Sequence, residues 1–124
     1  LSSKYLEDSL MPFWEPMPGL RSLATACAAS SSTLFQHLDA PQLLKHLLGL
    51  RRRSGASGYL VYLYYDVPGP EGARHRDEVS RFAELTDHDG VRFTSVSYQT
   101  LLFRLSAERN THCEWVDYMA ERYL

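Results

Sequence analysis

One uninterrupted apolar run constrains most strongly how this chain can fold. Residues 59–65 read Tyr-Leu-Val-Tyr-Leu-Tyr-Tyr, and all seven are aliphatic or aromatic residues that favour strands. The run does not alternate between apolar and polar positions, and this pattern is typical of a strand that is buried on both faces in a parallel sheet. We therefore expect a parallel sheet with helices on both sides.

The segments that follow this run fit a parallel crossover. Residues 71–86 have the apolar spacing of an amphipathic helix, with Val79, Phe82 and Ala83 facing inward, and residues 91–96 read as a second strand. The residues expected to face solvent on this helix are charged: Arg74, Asp77, Glu78, Arg81 and Glu84. Because two parallel strands need a long connection, strand, helix and strand together predict a βαβ unit.

A leucine-rich helix is expected before the first strand. Asp39 is a suitable N-cap, and Pro41 suits the first helical turn. The apolar face of this helix consists of leucines: Leu43, Leu44, Leu47 and Leu48. We expect the helix to end near Arg52, because the glycines of residues 54–58 interrupt it.

The first thirty residues predict little regular structure. Residues 11–19 contain three prolines, which are disfavoured inside helices, so we expect an extended loop with Phe13 and Trp14 packed on the body of the protein. Residues 1–5 are expected to be the end of a strand. Residues 21–29 are rich in alanine and leucine and predict a short helix.

Two helices are expected after the second strand. Ser97 can cap the first of them, and the segment from Thr111 to Glu114 has the pattern of a capping box that opens the second. The expected buried face of this last helix is made of large residues: Trp115, Met119 and Tyr123. Together these elements predict an α/β fold with a small, mostly parallel sheet flanked by helices.

Length, charge and cysteine content limit the classes of protein to consider. A chain of 124 residues has room for one domain, and its net charge of −2 argues against an overall basic surface while leaving a local basic patch open. No apolar run reaches the roughly 18 residues that span a bilayer. Cys27 and Cys113 lack the spacing of a zinc or redox site, so we expect no disulfide and a cytoplasmic, reducing compartment.

Several polar residues have an ordinary structural interpretation. His75, Asp77 and Glu78 are close in sequence, but we expect them on the solvated face of a helix rather than in a metal site. Asp66 follows the apolar run directly, where open parallel sheets bind ligands, although an aspartate before Pro-Gly also stabilises a loop. Both interpretations of Asp66 stay open.

The order of the segments resembles a known nuclease family. The segments that carry the likeness are Ser-Ser-Lys-Tyr-Leu-Glu at 2–7, Gln-Leu-Leu-Lys-His-Leu-Leu at 42–48, the strand and aspartate at 59–66, His-Arg-Asp-Glu-Val at 75–79, and residues 91–102. In this order they resemble the second half of a restriction-endonuclease-like domain of the PD-(D/E)XK superfamily. The likeness covers nearly all of the chain, through short motifs.

The resemblance implies particular roles for two residues. Lys4 matches the lysine of the family's E-x-K strand, where it would stabilise charge at the phosphate, and Gln42 matches a helical glutamine that positions the lysine or the attacking water. The reaction implied is phosphodiester hydrolysis with Mg²⁺, but Ser2 stands where the family has Glu or Asp, and a hydroxyl cannot replace that anionic ligand.

The family's other metal-binding carboxylates lie upstream of E-x-K, and here only Leu1 precedes Ser2. The chain is therefore expected to be either a fragment or a shortened relative. In both cases we expect little or no nuclease activity from this polypeptide alone.

Binding without catalysis is the competing interpretation. A cluster of cations on and after the leucine-rich helix is expected to contact a DNA backbone, unless it is only a solvated helix end: Lys45, Arg51, Arg52 and Arg53. A protein partner would be favoured if Phe13 and Trp14 were unpacked beside the prolines. A small-ligand enzyme would be favoured by a closed polar pocket at Asp66.

Overall fold

The computed structural model describes residues 1–29, 35–107, 114, 117, 118, 121 and 122. The helices are α1 (Met11–Trp14), α2 (Pro18–Ala28), α3 (Ala40–Ser54), α4 (Pro70–His88) and α5 (Tyr98–Ser106), and the strands are β1 (Tyr59–Tyr64) and β2 (Arg92–Ser97). Short 3₁₀ helices cover Ser3–Leu6, Asp8–Leu10 and Gly55–Ser57. None of the helices in this part of the chain is long and apolar enough to cross a membrane.

The two strands form the parallel pair that the sequence predicts. Tyr59 lies opposite Arg92, and the register continues to Tyr64 opposite Ser97. Helix α4 connects the end of β1 to the start of β2, as a parallel crossover requires. The mixed helix and strand character and the small parallel sheet are confirmed.

Only one face of the sheet is buried by the described residues. Leu60, Tyr62 and Phe93 point inward and pack on the hydrophobic core. On the opposite face, Tyr59 is 54% exposed and Val61 is 53% exposed. The described residues thus cover β1 on one face, and cover on both faces stays a prediction. A run of apolar residues shows strand preference but does not say which side a helix will cover.

The structure also corrects the expectations for the N-terminal segment. Residues 1–5 do not form a strand, since 3₁₀ structure begins at Ser3, and residues 11–19 contain α1 and the start of α2 rather than an extended loop. The prolines at the starts of α1 and α2 lie in first turns, where the missing N–H costs nothing. The expected packing of Trp14 is confirmed, because its side chain is fully buried.

Helices α3 and α5 begin at the N-cap residues that the sequence predicts. The Asp39 carboxylate accepts a hydrogen bond from the Gln42 N–H at 3.2 Å, and the Ser97 hydroxyl accepts one from the Thr100 N–H at 3.1 Å. The four predicted leucines of α3 are buried. The last expected helix stays a prediction, because Thr111 and the stripe of Trp115, Met119 and Tyr123 lie outside the described residues, as does Cys113.

Glu78 on α4 points inward, contrary to the prediction. Its side chain is 3% exposed and accepts hydrogen bonds from the backbone N–H groups of Gln36 and His37, the second at 2.8 Å. These donors lie in the irregular segment before α3, where no helix or strand among the described residues accepts a hydrogen bond from them. Helical spacing could not reveal this contact, because it depends on a loop that is 41 residues away from Glu78.

Asp89, directly after α4, holds the start of α2. Its carboxylate accepts hydrogen bonds from the N–H groups of Gly19 at 3.1 Å and Leu20 at 2.8 Å. The residue before α2 supplies no side-chain cap of its own, and the Asp89 side chain is fully buried. A carboxylate from the far end of the crossover thus caps α2 and fixes it against α4.

Replacing Asp89 with alanine tests this cap. We expect Asp89→Ala to lower the free energy of unfolding by about 2 kcal/mol, because it removes two charge-assisted bonds and leaves two helix N–H groups without acceptors. Urea unfolding followed by circular dichroism measures the change. The control is Asp87→Ala, an exposed carboxylate two residues earlier. Equal destabilisation by both variants would contradict the capping role.

Candidate functional site

Two lysines from distant parts of the chain lie close to one tyrosine ring. The ammonium of Lys4 lies 5.2 Å from the centre of the Tyr5 ring, and that of Lys45 on α3 lies 5.3 Å from the same centre. The Tyr5 carbonyl accepts a 2.8 Å hydrogen bond from the buried Trp14 indole, so the tyrosine is anchored to the core. We call Lys4, Tyr5 and Lys45 the Tyr5 cluster.

The three consecutive arginines of α3 diverge because each residue turns the helix by about 100°. The Arg52 guanidinium lies 6.0 Å from the centre of the Phe13 ring. Arg53 lines a cavity together with Lys45, whereas Arg51 lines a different one with Arg92. Of the predicted DNA-binding residues, the structure thus brings Lys45 and Arg53 together and directs Arg51 and Arg52 elsewhere.

These cations are not neutralised by ion pairs in the described part of the chain. The ion pairs found there join Arg76 to Asp66 and Arg81 to Asp77, and the His88 ring lies 3.4 Å from the Asp89 carboxylate. None of them includes the five cations in question: Lys4, Lys45, Arg51, Arg52 and Arg53. Lys4, Lys45 and Arg52 lie near aromatic rings, and Arg51 and Arg53 line cavities, which leaves their charge available to an external anion.

Gln42 lies on α3 one turn before Lys45, but its side chain has a different partner. The Gln42 Nε2 atom lies 3.3 Å from the Nε2 atom of His46. The side chain therefore contacts His46, while the N-terminus of the helix is capped by the Asp39 side chain. No hydrogen bond between the described residues joins Gln42 to Lys4.

The described residues do not fit the Mg²⁺ that the resemblance implies. The hydroxyl of Ser2 accepts a 3.4 Å hydrogen bond from the backbone N–H of Lys4 and so caps a 3₁₀ helix. Among residues 1–29, 35–107 and the described positions after them, no three His, Cys, Asp or Glu side chains are grouped to hold a metal ion. Lys4 itself lies on that 3₁₀ helix, so its expected place on a catalytic strand is wrong.

A long groove follows β1. Three cavities of about 320, 440 and 340 Å³ lie in sequence along the strand. The first two share His46 and Leu60, and the last two share Tyr62. We call the combined depression the β1 groove, and it runs from Lys45 and Arg53 at one end to His75 at the other.

Two tyrosines and a histidine meet at the far end of this groove. The Tyr62 hydroxyl lies 3.0 Å from His75 Nε2, and the Tyr62 and Tyr64 rings stack with centres 5.4 Å apart. Burial, followed by repulsion from neighbouring anions, raises the pKa of both tyrosines above the usual value. The solvated-face interpretation is therefore wrong for His75, which contacts β1, while Asp77 pairs with Arg81 on the surface.

Sequence reasoning missed this Tyr–His cluster, although two signals for it were present. Tyr62 and Tyr64 have the i, i+2 spacing of one strand face, and His75 lies in the crossover helix that must pack on that face.

Asp66 holds the loop after β1 in place. Its carboxylate accepts a 2.6 Å bond from Arg76, and the Gln99 side-chain amide bonds both its backbone N–H at 3.1 Å and its carbonyl at 2.8 Å. The loop also approaches α4 closely, since a Cβ at Gly72 would lie 1.6 Å from the Val67 carbonyl oxygen. These contacts support the loop-stabilising interpretation of Asp66.

Comparison with known proteins identifies no relative. No family model matches the chain, and neither does any curated protein or solved structure. The functional interpretation therefore depends on the chemistry of the described residues.

The raised pKa of Tyr62 is open to direct titration. We expect the difference in tyrosinate absorbance between the wild type and Tyr62→Phe to have its midpoint above pH 10, because burial disfavours the phenolate. The stabilising effect of the raised pKa is fully present below pH 10 and is lost as the pH rises through the folded-state value. Tyr64→Phe removes the neighbouring anion but not the burial, so it should lower that midpoint only in part. A Tyr62 midpoint at or below 10 in the wild type would contradict the assignment.

Proposed function

We propose that this chain is a nucleic-acid-binding domain on a restriction-endonuclease-like scaffold, in which Lys4, Lys45 and Arg53 contact the phosphate backbone. The observation that carries the proposal is the Tyr5 cluster, whose two cations pair with no carboxylate of the described residues and lie beside a third cation, Arg53. The net charge of −2 makes this a local feature rather than a general property of the surface.

The contacts with the Tyr5 ring position the two lysines but do not neutralise their charge. An exposed contact between a cation and a ring contributes about 0.5–1 kcal/mol, which is less than a charge-assisted bond to an anion contributes. Lys4 and Lys45 can therefore remain over Tyr5 in the free protein and turn to phosphate on binding. Release of counterions from DNA would then drive association.

The restriction-endonuclease-like part of the proposal is supported by the order of the elements. A helix that bears Gln42 precedes a parallel strand, helix and strand, as in the family that the sequence resembles. The serine at position 2 and the 3₁₀ conformation around Lys4 argue against catalysis by these residues. In this proposal Lys4 binds phosphate and does not take part in hydrolysis.

A protein partner beside the prolines is less well supported. Trp14 is fully buried and Phe13 packs on the core beneath Arg52, so this segment does not offer an unpacked aromatic groove.

The salt dependence of DNA binding tests the proposal. We expect Lys4→Gln/Lys45→Gln to weaken binding to a short fluorescent duplex and to reduce the slope of log K against log salt by about 1.8, since each lost phosphate contact contributes about 0.9. Fluorescence anisotropy at several salt concentrations measures both changes. The matched control is Arg74→Gln/Arg104→Gln, which removes two exposed charges on α4 and α5. The same slope in both variants would refute the proposed interface.

The absence of catalysis is tested separately. Incubation of supercoiled plasmid with the chain and either Mg²⁺ or Mn²⁺ should give no more nicked DNA than a blank, because the carboxylates that such nucleases use are not grouped in the described residues. Gel electrophoresis gives the measurement. Robust cleavage that Lys4→Ala abolishes would show that Lys4 is catalytic after all.

A further inference from the structure

Strand β1 has one edge that the described residues leave unpaired. Its main chain bonds to β2 on one side, and no described residue donates to or accepts from its main chain on the other. Every second residue of a parallel strand directs its N–H and C=O toward the same edge. As far as the described residues extend, this edge therefore presents a row of backbone donors and acceptors that they leave unused.

This edge also lacks the features that normally protect an open strand. Natural edge strands carry charged residues, prolines or bulges that prevent further pairing. All six residues from Tyr59 to Tyr64 are apolar or aromatic, and β1 pairs with β2 in unbroken register. By contrast, β2 carries Arg92, Thr94, Ser95 and Ser97.

The β1 groove runs along this strand. Its middle part is lined by Leu60, Val61, Tyr62 and Leu63, with α3 forming the opposite wall through Leu43 and His46. Val61 and Leu63 are also exposed on the outer face of the sheet. The groove thus combines backbone hydrogen-bonding groups with apolar walls. An extended polypeptide can bond to the first through its own main chain and pack on the second through its side chains.

The two ends of the groove differ in charge. Lys45 and Arg53 line the end near Tyr59, together with His46, and none of the described residues that line this cavity is acidic. The other end includes Glu71 as well as His37 and His75. An occupant with an acidic side chain at the Tyr59 end would match this distribution.

We propose that the β1 groove binds an extended polypeptide segment that adds to the sheet as a third strand beside β1 and carries an acidic residue over Lys45 and Arg53. Six residues of β1 span about 20 Å, so a partner segment of about six residues is sufficient. Apolar side chains at alternate positions of the segment continue the apolar face of Val61 and Leu63. This function goes beyond nucleic-acid binding and does not depend on it, although DNA and the segment would compete for the same two cations.

A synthetic peptide tests the proposal. The probe is acetyl-Glu-Val-Thr-Val-Thr-Val-Glu-amide, with Glu at both ends because a parallel and an antiparallel strand place opposite ends over Lys45 and Arg53. We expect saturable binding by calorimetry and slower hydrogen exchange at alternate amides of β1 by NMR. The same peptide with Lys at both ends should bind at least tenfold more weakly at low salt. Equal binding of the two peptides would overturn the charge assignment.

Backbone methylation distinguishes strand pairing from simple apolar contact. Two versions of the probe carry N-methyl groups on alternate backbone amides. The methylated amides point to one edge of the peptide strand in the first version and to the opposite edge in the second. Strand addition predicts that one version loses binding and the other retains it, because only one edge faces β1. Retained binding by both versions, or loss by both, would overturn the proposal.

A variant of the protein completes the test. Val61→Thr/Leu63→Thr keeps residues of high strand propensity but reduces the apolar wall, so peptide affinity should fall about tenfold. The control is Phe103→Thr on α5, which removes a side chain that is 73% exposed. An equal loss of peptide affinity in both variants would overturn the proposal. Light scattering gives a second check. A concentration-dependent dimer that the peptide does not dissociate would also overturn the proposal, because the occupant of the groove would then be a second copy of the chain.

Discussion

The packing of Phe82 between the sheet and the rest of the core is the contact on which the other features depend. Its side chain is fully buried, with the ring of Phe93 on β2 at 5.2 Å and that of Phe35 at 6.2 Å. This contact holds α4 on the inner face of the two strands. Helix α4 then fixes its surroundings through Glu78, which binds the segment before α3, and through Asp89, which follows the helix and caps α2.

This arrangement places both proposed binding surfaces beside α3. The segment held by Glu78 leads directly to Asp39, the cap at which α3 begins. Lys45 on α3 then belongs to the Tyr5 cluster on one side and to the β1 groove on the other. Arg53 lines the same end of that groove, so a ligand at either surface meets both cations. The two proposed functions are therefore coupled through competition rather than through a conformational change.

Local patterns predicted most of the regular structure. Asp39 and the leucine spacing predicted α3, and Val79 and Phe82 predicted the inner face of α4, because helix caps and apolar periodicity act within a few residues. The same approach failed at Glu78 and at His75, whose partners lie in other elements. It also failed for residues 1–5, which were expected to end a strand but form 3₁₀ structure from Ser3 onward, so Lys4 does not lie on the strand that the resemblance implies.

The sequence by itself determined that the chain would contain capped helices and a parallel strand pair, since these depend on propensity, spacing and the length of the crossover. Only the tertiary structure decided which face of β1 the described residues bury and which cations come together. The physical reason is that Tyr59 and Tyr62 have the same strand preference, although one points to solvent and the other to the core. Likewise, no local rule relates Lys4 to Lys45, and it is the anchoring of Tyr5 by Trp14 that brings them to one ring.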